Sequence, residues 1–299
     1  MPRRLAAAFI LIALCLPIAA QAGALREKLQ ERREARAERQ LLDELPADSR
    51  ILHDQTYGVH PRQVFDVYLP PNAHAAPILF MVHGGGWHTG DKAREEVVEN
   101  KARHWLGKGY ILVSSNYRLL PDADPLTQAS DVAQAITAVQ RQANGWGGDP
   151  ARLVLMGHSA GAHLVALLSS DPQLAPGVSP SWLGTVALDS AAFDVPAVMQ
   201  GRHLPLYDRA FGKDSSYWQK ASPLHVLRSG AHPLLAVCSS RRSDACPQAE
   251  AYAAKARQLG VTVSVVREDR SHREINVDLG ADPAYTARVD AFLHTLGLP

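Results

Sequence analysis

The chain has 299 residues, of which 46% are hydrophobic and 20% charged, and its 31 Lys+Arg against 30 Asp+Glu leave a formal charge of +1. That balance excludes a disordered chain and a nucleic-acid binder that works by bulk charge. A chain of this length buries a large core without needing cross-links to hold it.

The first residues, Met1-Pro2-Arg3-Arg4, are basic; an apolar run from Leu5 to Ala20 follows, then Ala20-Gln21-Ala22. A basic start, a short apolar stretch and small residues flanking a cut site read as a secretory signal peptide over residues 1–22. The run holds Pro17 and falls short of the ~20 residues of a membrane span. The expectation is a periplasmic or secreted protein with no stable span after cleavage. Cys15 leaves with that segment, and the remaining pair, Cys238 and Cys246, reads as a disulfide in an oxidising compartment. Residues 23–50 are a different material: stretch 24–45 carries six basic and six acidic residues, with leucines only at its two ends. No heptad persists, so the segment reads as a solvated helix or a partly ordered linker. Residues 51–299 form the one large domain.

From Ile51 onward, strand and helix patterns alternate. Two alternating stretches, Ile51–Gly58 and Arg62–Leu69, predict half-buried strands, and the continuous apolar run 77–82 predicts a strand covered on both faces. A helix is expected over 92–107, a strand over 110–116, and an amphipathic helix over 124–143 with Pro125 in its first turn. Strand 152–156 and helix 160–169 come next, then strands 182–188 and 233–238, helix 246–260, strand 261–266 and a last helix 283–296. The order predicts an α/β fold, a mostly parallel central sheet with helices on both faces, whose reactive groups gather at the carboxyl ends of the strands.

Three strand ends carry chemistry-bearing residues. Strand 152–156 runs into Gly157-His158-Ser159-Ala160-Gly161 and a helix. A sharp strand-to-helix turn of this kind presents a serine hydroxyl above the sheet, next to free N–H groups of the helix start. Strand 77–82 runs into His83-Gly84-Gly85-Gly86-Trp87, where consecutive glycines let backbone N–H groups converge on one spot, as a tetrahedral oxyanion requires. A base for Ser159 is then expected later in the chain. Of the histidines after Ser159 (163, 203, 225, 232, 272 and 294), only His272 follows a strand in a loop before the final helix. The acid that orients the base is expected after strand 233–238, where Asp244 is the one carboxylate of the loop; Glu250, Glu268 and Asp269 are weaker candidates. A Cys238–Cys246 disulfide would close a short loop around Asp244 and limit its motion. There is no His-Glu-x-x-His and no Cys/His spacing suited to zinc, so no metal and no cofactor are expected.

These residues, with Asn116-Tyr117-Arg118-Leu119 and Asp244 ahead of Pro247, resemble the α/β-hydrolase superfamily, and within it the His-Gly-Gly-Gly esterase–lipase branch, from about residue 55 to 296. Trp87 followed by Gly90-Asp91-Lys92 is similar to feruloyl/acetylxylan-type esterases and to kynurenine formamidases. The resemblance implies a Ser159–Asp244–His272 triad. It also implies an oxyanion hole from the backbone of Gly85, Gly86 and Ala160, with Gly84 left open and His83 shaping the loop. It implies a serine esterase acting on a small-molecule or polysaccharide-linked ester, with a formamidase or amidase as the alternative. A third alternative, a hydrolase-fold binding protein without catalysis, ordinarily lacks a triad member. Two departures stand out: Asp-Ala-Cys-Pro replaces the family's usual acid loop, and the polar Ser271-His272-Arg273-Glu274 stretch argues for short acyl chains over long lipids. Residues 193–229, with Tyr207, Phe211, Tyr217 and Trp218, either cap the pocket or pack as plain surface.

Overall fold

The structure, a computed structural model, describes residues 36, 39–174 and 182–299. The expected signal peptide and most of the charged linker lie outside the described residues. Two compact units divide at Leu45/Pro46. In the first, residues 39–44 are helical. The second, residues 46–299, carries the sheet and the strand ends singled out above.

Its strands are β1 (Arg50–Thr56), β2 (Val64–Leu69), β3 (Ala76–Val82), β4 (Ile111–Ser115), β5 (Gly148–His158), β6 (Gly184–Leu188), β7 (Leu234–Ser239) and β8 (Val263–Glu268). Among the described residues they form one eight-stranded sheet in the order β1-β2-β4-β3-β5-β6-β7-β8. β1 and β2 pair antiparallel, as do β2 and β4; the other pairs are parallel. Every residue of β3 is buried, which is why its run is apolar without alternation. Edge strand β1 is exposed or half-buried along its whole length without alternating, and its register with β2 shifts between Leu52 and Gln55.

The helices are α1 (Glu95–Gly107), α2 (Pro125–Gln142), α3 (Ala160–Ser170), α4 (Val195–Gln200), α5 (Pro205–Phe211), α6 (Ser215–Lys220), α7 (Pro223–Val226), α8 (Ala245–Gln258), α9 (His272–Val277) and α10 (Pro283–Thr295). Strong local signals set the long ones. α2 begins with Pro125 after Asp124, whose carboxylate accepts from the Thr127 N–H. All eleven residues of α3 are buried, and its side chains join both the core cluster beneath β3–β5 and the one beneath β6–β7.

Two stretches for which the sequence predicts no helix are helical. Segment 195–226 folds into α4–α7, each four to seven residues long. Helices this short have too few turns to show a periodicity. His272, expected in a loop, opens α9, where Ser271 and Glu274 form a reciprocal capping box: Glu274 N–H donates to Ser271 Oγ at 3.3 Å and Ser271 N–H to Glu274 Oε2 at 2.7 Å.

Topology decides where a site can form. From β3 the chain moves outward to β4, then returns to the other flank of β3 as β5. The crevice at such a reversal is where parallel sheets bind ligands. Register places Val82, at the end of β3, opposite Gly157 of β5. Farther along, His158 lies opposite Leu188, and Leu188 opposite Val237. The segments leaving β3, β5, β6 and β7 therefore emerge side by side.

Candidate active site

Ser159 sits at the turn between β5 and α3 with φ 56°, a left-handed conformation that a serine adopts only when its surroundings enforce it. The enforcement is close packing. A Cβ on Gly161 would lie 2.3 Å from the Val82 carbonyl oxygen and 2.5 Å from that of His83, so α3 touches the end of β3 backbone to backbone. Gly161→Ala is expected to lower stability by ~3 kcal/mol, because neither carbonyl can yield without displacing the central strand; urea unfolding of the two proteins measures it. A variant as stable as the parent would show that this contact is not tight.

Three peptide units around Ser159 have their orientation fixed by where their carbonyls go. The Gly84 carbonyl accepts from His83 Nδ1 at 2.7 Å. The Gly85 carbonyl accepts from the Thr89 N–H at 3.0 Å and from the Thr89 hydroxyl at 3.0 Å, in a turn that needs φ +123° at Gly85. The Ser159 carbonyl accepts from the His163 N–H at 3.1 Å, the first bond of α3. In a planar trans peptide, N–H and C=O point opposite ways. The N–H groups of Gly85, Gly86 and Ala160 are thereby turned away from these occupied carbonyls. Gly84, Gly85, Gly86, Ser159, His158 and His272 all line one cleft of about 270 Å3.

The loop carrying those glycines is held from behind. His83 is 1% exposed and stacks on Tyr117 with ring centroids 4.5 Å apart; the Tyr117 hydroxyl donates to the His83 carbonyl at 3.0 Å. Arg62 Nη2 donates to His83 Nε2 at 3.3 Å and to the Gly90 carbonyl at 3.0 Å. Asn116 joins the same cluster, accepting from the Lys92 N–H and donating to Asp91. The Asn116-Tyr117 and Gly90-Asp91-Lys92 motifs are thus braces for the glycine loop. Trp87 closes the loop from the other end, with its indole N–H donating to His163 Nδ1 at 3.3 Å while His163 Nε2 donates to the Ala221 carbonyl at 2.7 Å. α5 packs on that indole through Phe211 and Tyr207, with centroids 4.9 and 5.7 Å away. The 195–226 segment is therefore packed on the glycine loop through Trp87, and none of its residues is among those that line the cleft.

His272 presents Nδ1 to Asp189 Oδ2 at 2.6 Å. Asp189 is the residue immediately after β6; it is fully buried and has φ 52°. Its Oδ1 accepts from the Ser239 N–H at 2.7 Å, and its Oδ2 accepts from Arg242 Nη1 at 2.9 Å. Burial alone would raise this carboxyl's pKa; the bonds from His272, Ser239 and Arg242 outweigh it and bring the pKa to about 2. The expectation that Asp244 orients His272 is corrected. Asp244 is half exposed and its Oδ2 accepts from Arg242 Nη2 at 3.1 Å. The physical reason is placement: Asp244 lies at the start of α8, well beyond the buried end of β7, whereas Asp189 stands at the strand end itself, directly after Leu188. The sequence does contain a signal, a lone carboxylate directly after the buried run of β6.

His158, beside Ser159, donates from Nε2 to the His272 carbonyl at 2.9 Å and lies against the His272 ring at 4.6 Å. Burial first, then the neighbouring His272, pushes its pKa down to about 3, so it serves as a neutral brace. The far end of α9 is tied to α1 by the buried Lys101, whose Nζ donates to the Asn276 carbonyl at 2.7 Å. The Cys238–Cys246 disulfide is present. The loop it closes holds Asp244 as expected, but the residues of that loop that reach His272's partner are Ser239 and Arg242. Among the described residues no group of three or more His, Cys, Asp or Glu is placed to hold a metal, and no helix is long and apolar enough to cross a membrane.

Comparison with known proteins gives a consistent picture. The BD-FAE family model matches residues 65–175, the stretch from β2 through the glycine loop and Ser159 to the end of α3. Over 137 residues the chain is 34% identical to a probable isoprenylcysteine alpha-carbonyl methylesterase of Arabidopsis thaliana, covering 45% of this chain and 32% of that protein. It is 29% identical over 247 residues to Esterase LipQ of Mycobacterium tuberculosis, covering 75% of this chain and 57% of that one. Among solved structures, the apo form of Thermogutta terrifontis esterase 2 matches with a TM-score of 0.67 at 22% identity, over 82% of this chain and 95% of that one. The chain spans from about a third to just over half the length of these curated relatives.

Proposed function

We propose that this chain, similar to esterases in sequence and in fold, is an exported serine hydrolase that cleaves carboxylic esters of short acyl groups through a Ser159–His272–Asp189 triad. One observation carries the reading: an imidazole whose Nδ1 is engaged by a buried carboxylate lines the same cleft as a serine on a strained strand-to-helix turn. With Nδ1–H given to Asp189, His272 Nε2 is left as the basic nitrogen.

In the first half-reaction Ser159 Oγ bonds to the ester carbonyl carbon as His272 takes its proton, and the carbonyl electron pair moves onto oxygen. The N–H groups of Gly85, Gly86 and Ala160 stabilise that oxyanion. Collapse breaks the bond to the alcohol, which leaves with the proton from His272, and the acyl group remains on Ser159. Water then repeats the sequence with His272 as base, releasing the acid and free serine. Asp189 holds the tautomer and stabilises the imidazolium in both halves.

The small cleft supports short acyl groups. An adjoining depression of about 350 Å3, lined by Arg94, Glu95, Glu96, Glu99, Asn100 and Arg273, shares Arg94 and Glu96 with it. Such a charged wall favours a polar leaving alcohol, free or attached to a polysaccharide. Export is supported by the character of residues 1–22 and by the disulfide, which persists in oxidising compartments. A fluorophosphonate probe tests the chemistry: it is expected to label Ser159 and to leave Ser159→Ala unlabelled. p-Nitrophenyl acetate and butyrate are expected to turn over faster than the laurate. No label on folded protein, or label on another residue, removes the hydrolase reading; an aryl formamide cleaved faster than every ester transfers it to amidase chemistry.

A further inference from the structure

Two of the three groups that hold Asp189, the Ser239 N–H and Arg242 Nη1, come from the loop that the Cys238–Cys246 disulfide closes. The same loop reaches the segment that delivers His272, because the Ser239 hydroxyl donates to the Arg270 carbonyl at 2.5 Å. Arg242 is the unexpected member. Its Nη1 lies 2.9 Å from Asp189 Oδ2 and also 2.9 Å from His272 Nδ1, while Nη2 donates to Asp244. Nδ1 already gives its hydrogen to Asp189, so it cannot accept one from arginine. The guanidinium lies alongside the His272–Asp189 bond.

A cation in that place has opposing effects. It disfavours the imidazolium that forms when His272 accepts a proton. It also supplies the counter-charge that a fully buried carboxylate needs while the imidazole is neutral, since an uncompensated buried charge is strongly unfavourable. The planar fork lets one side chain fix Asp189 with one arm and anchor to Asp244 with the other. We propose that Arg242 is a positioning residue of the triad: its guanidinium fixes the Asp189 carboxylate on His272, and Asp244, where the orienting acid was expected, serves to anchor that guanidinium. This rests on the triad assignment above.

The charged and titratable groups around His272 are Asp189, Arg242 and His158, with Asp244 and Tyr207 beside Arg242, Arg273 and Glu274 on α9 itself, and Arg94, Glu96 and Lys101 on the side of α1. The test uses the full chain and p-nitrophenyl acetate, with kcat, KM and the pH profile of kcat/KM. Arg242→Gln is expected to lower kcat about 30-fold with KM within about twofold, since ground-state binding is untouched. The acid limb of kcat/KM is expected to move up by about half to one pH unit, because removing the cation favours the imidazolium. Arg242→Lys keeps the charge but not the fork, so the limb stays at its wild-type position while kcat falls about 5-fold. A merely structural arginine would lower activity without moving the limb. Folded Arg242→Gln with kcat within about twofold of wild type, or with an unmoved limb, overturns the proposal. Should Arg242→Gln not fold, Arg242→Lys decides, and wild-type kcat in that variant overturns it. A wild-type protein that neither labels nor hydrolyses any ester refutes the triad itself; an active wild type with indifferent Arg242 variants refutes only this inference.

Discussion

Asp189→Asn is expected to lower kcat by about 10⁴-fold with little change in KM, whereas Asp244→Asn is expected to stay within about threefold of the parent. The asymmetry follows from geometry. Asp189 is wholly enclosed and accepts the Nδ1 hydrogen of His272 at 2.6 Å. An asparagine amide of the same shape can offer N–H hydrogens to Nδ1, which then becomes the unprotonated nitrogen. The hydrogen moves to Nε2, the atom that has to take the proton of Ser159, and the base is lost while the fold stays intact. Asp244 is half exposed and touches the site only through Arg242. Steady-state kinetics on both variants, with thermal unfolding to confirm folding, reads the difference. Equal losses in the two variants would mean that the acid is shared between them; a loss only in Asp244→Asn would overturn the assignment of Asp189.

The folded chain is expected to lose stability steeply on acidification, by ~3 to 4 kcal/mol per pH unit between about pH 6 and 4.5. His83 and His163 are the main cause. Each is enclosed, 1% and 0% exposed, and burial pushes each pKa from 6.5 down to about 4. Their partners explain why a proton is refused. His83 Nε2 faces the Arg62 guanidinium, and His163 Nδ1 accepts the indole hydrogen of Trp87, so a second ring proton meets a cation in one case and displaces a donor in the other. The unfolded chain takes up these protons as pH falls below about 6.5, while the folded chain resists until about pH 4. Unfolding therefore gains about two protons at these two residues in that window, each contributing ~1.4 kcal/mol per pH unit, and stability rises with pH. Asp189, held at about 2 against 3.8, extends the loss below pH 4. His158, whose pKa burial and the neighbouring His272 push down to about 3, resists a proton in the same window as His83 and His163 and adds to the loss. Urea unfolding at pH 7, 6 and 5 gives the slope. His163→Gln, which can still accept from Trp87 and donate to Ala221, is expected to reduce it by about a third. An unchanged slope in that variant would show that His163 is not a proton-refusing group.

Ser159 and the glycine loop are legible in the sequence because they are local features: a buried strand, a turn that only small residues allow, and a helix start, all within a few neighbouring residues. Their placement beside each other follows from a parallel sheet whose order reverses at β3. His272 is legible from its place after the last strand, whereas the short helix it opens depends on the Ser271–Glu274 capping box and shows no periodicity. The carboxylate that meets His272 is only half legible: a strand-end carboxylate can be read at Asp189, but chain order and position after a strand fit Asp244 as well. What separates them is depth, and depth is set by how β5, β6 and β7 align.

By itself the sequence determined the strand–helix alternation, the turn at Ser159, the glycine loop after β3, the place of His272 after the last strand and the cysteine pair. These rest on hydrophobic periodicity, glycine conformation and residue chemistry that act over a few neighbours along the chain. Only the tertiary structure decided which carboxylate meets His272, that Arg242 stands beside that bond, and that segment 195–226 is braced on Trp87. Those contacts join residues from different strand ends, and their strength comes from burial and counter-charge that exist only once the sheet has brought the ends together.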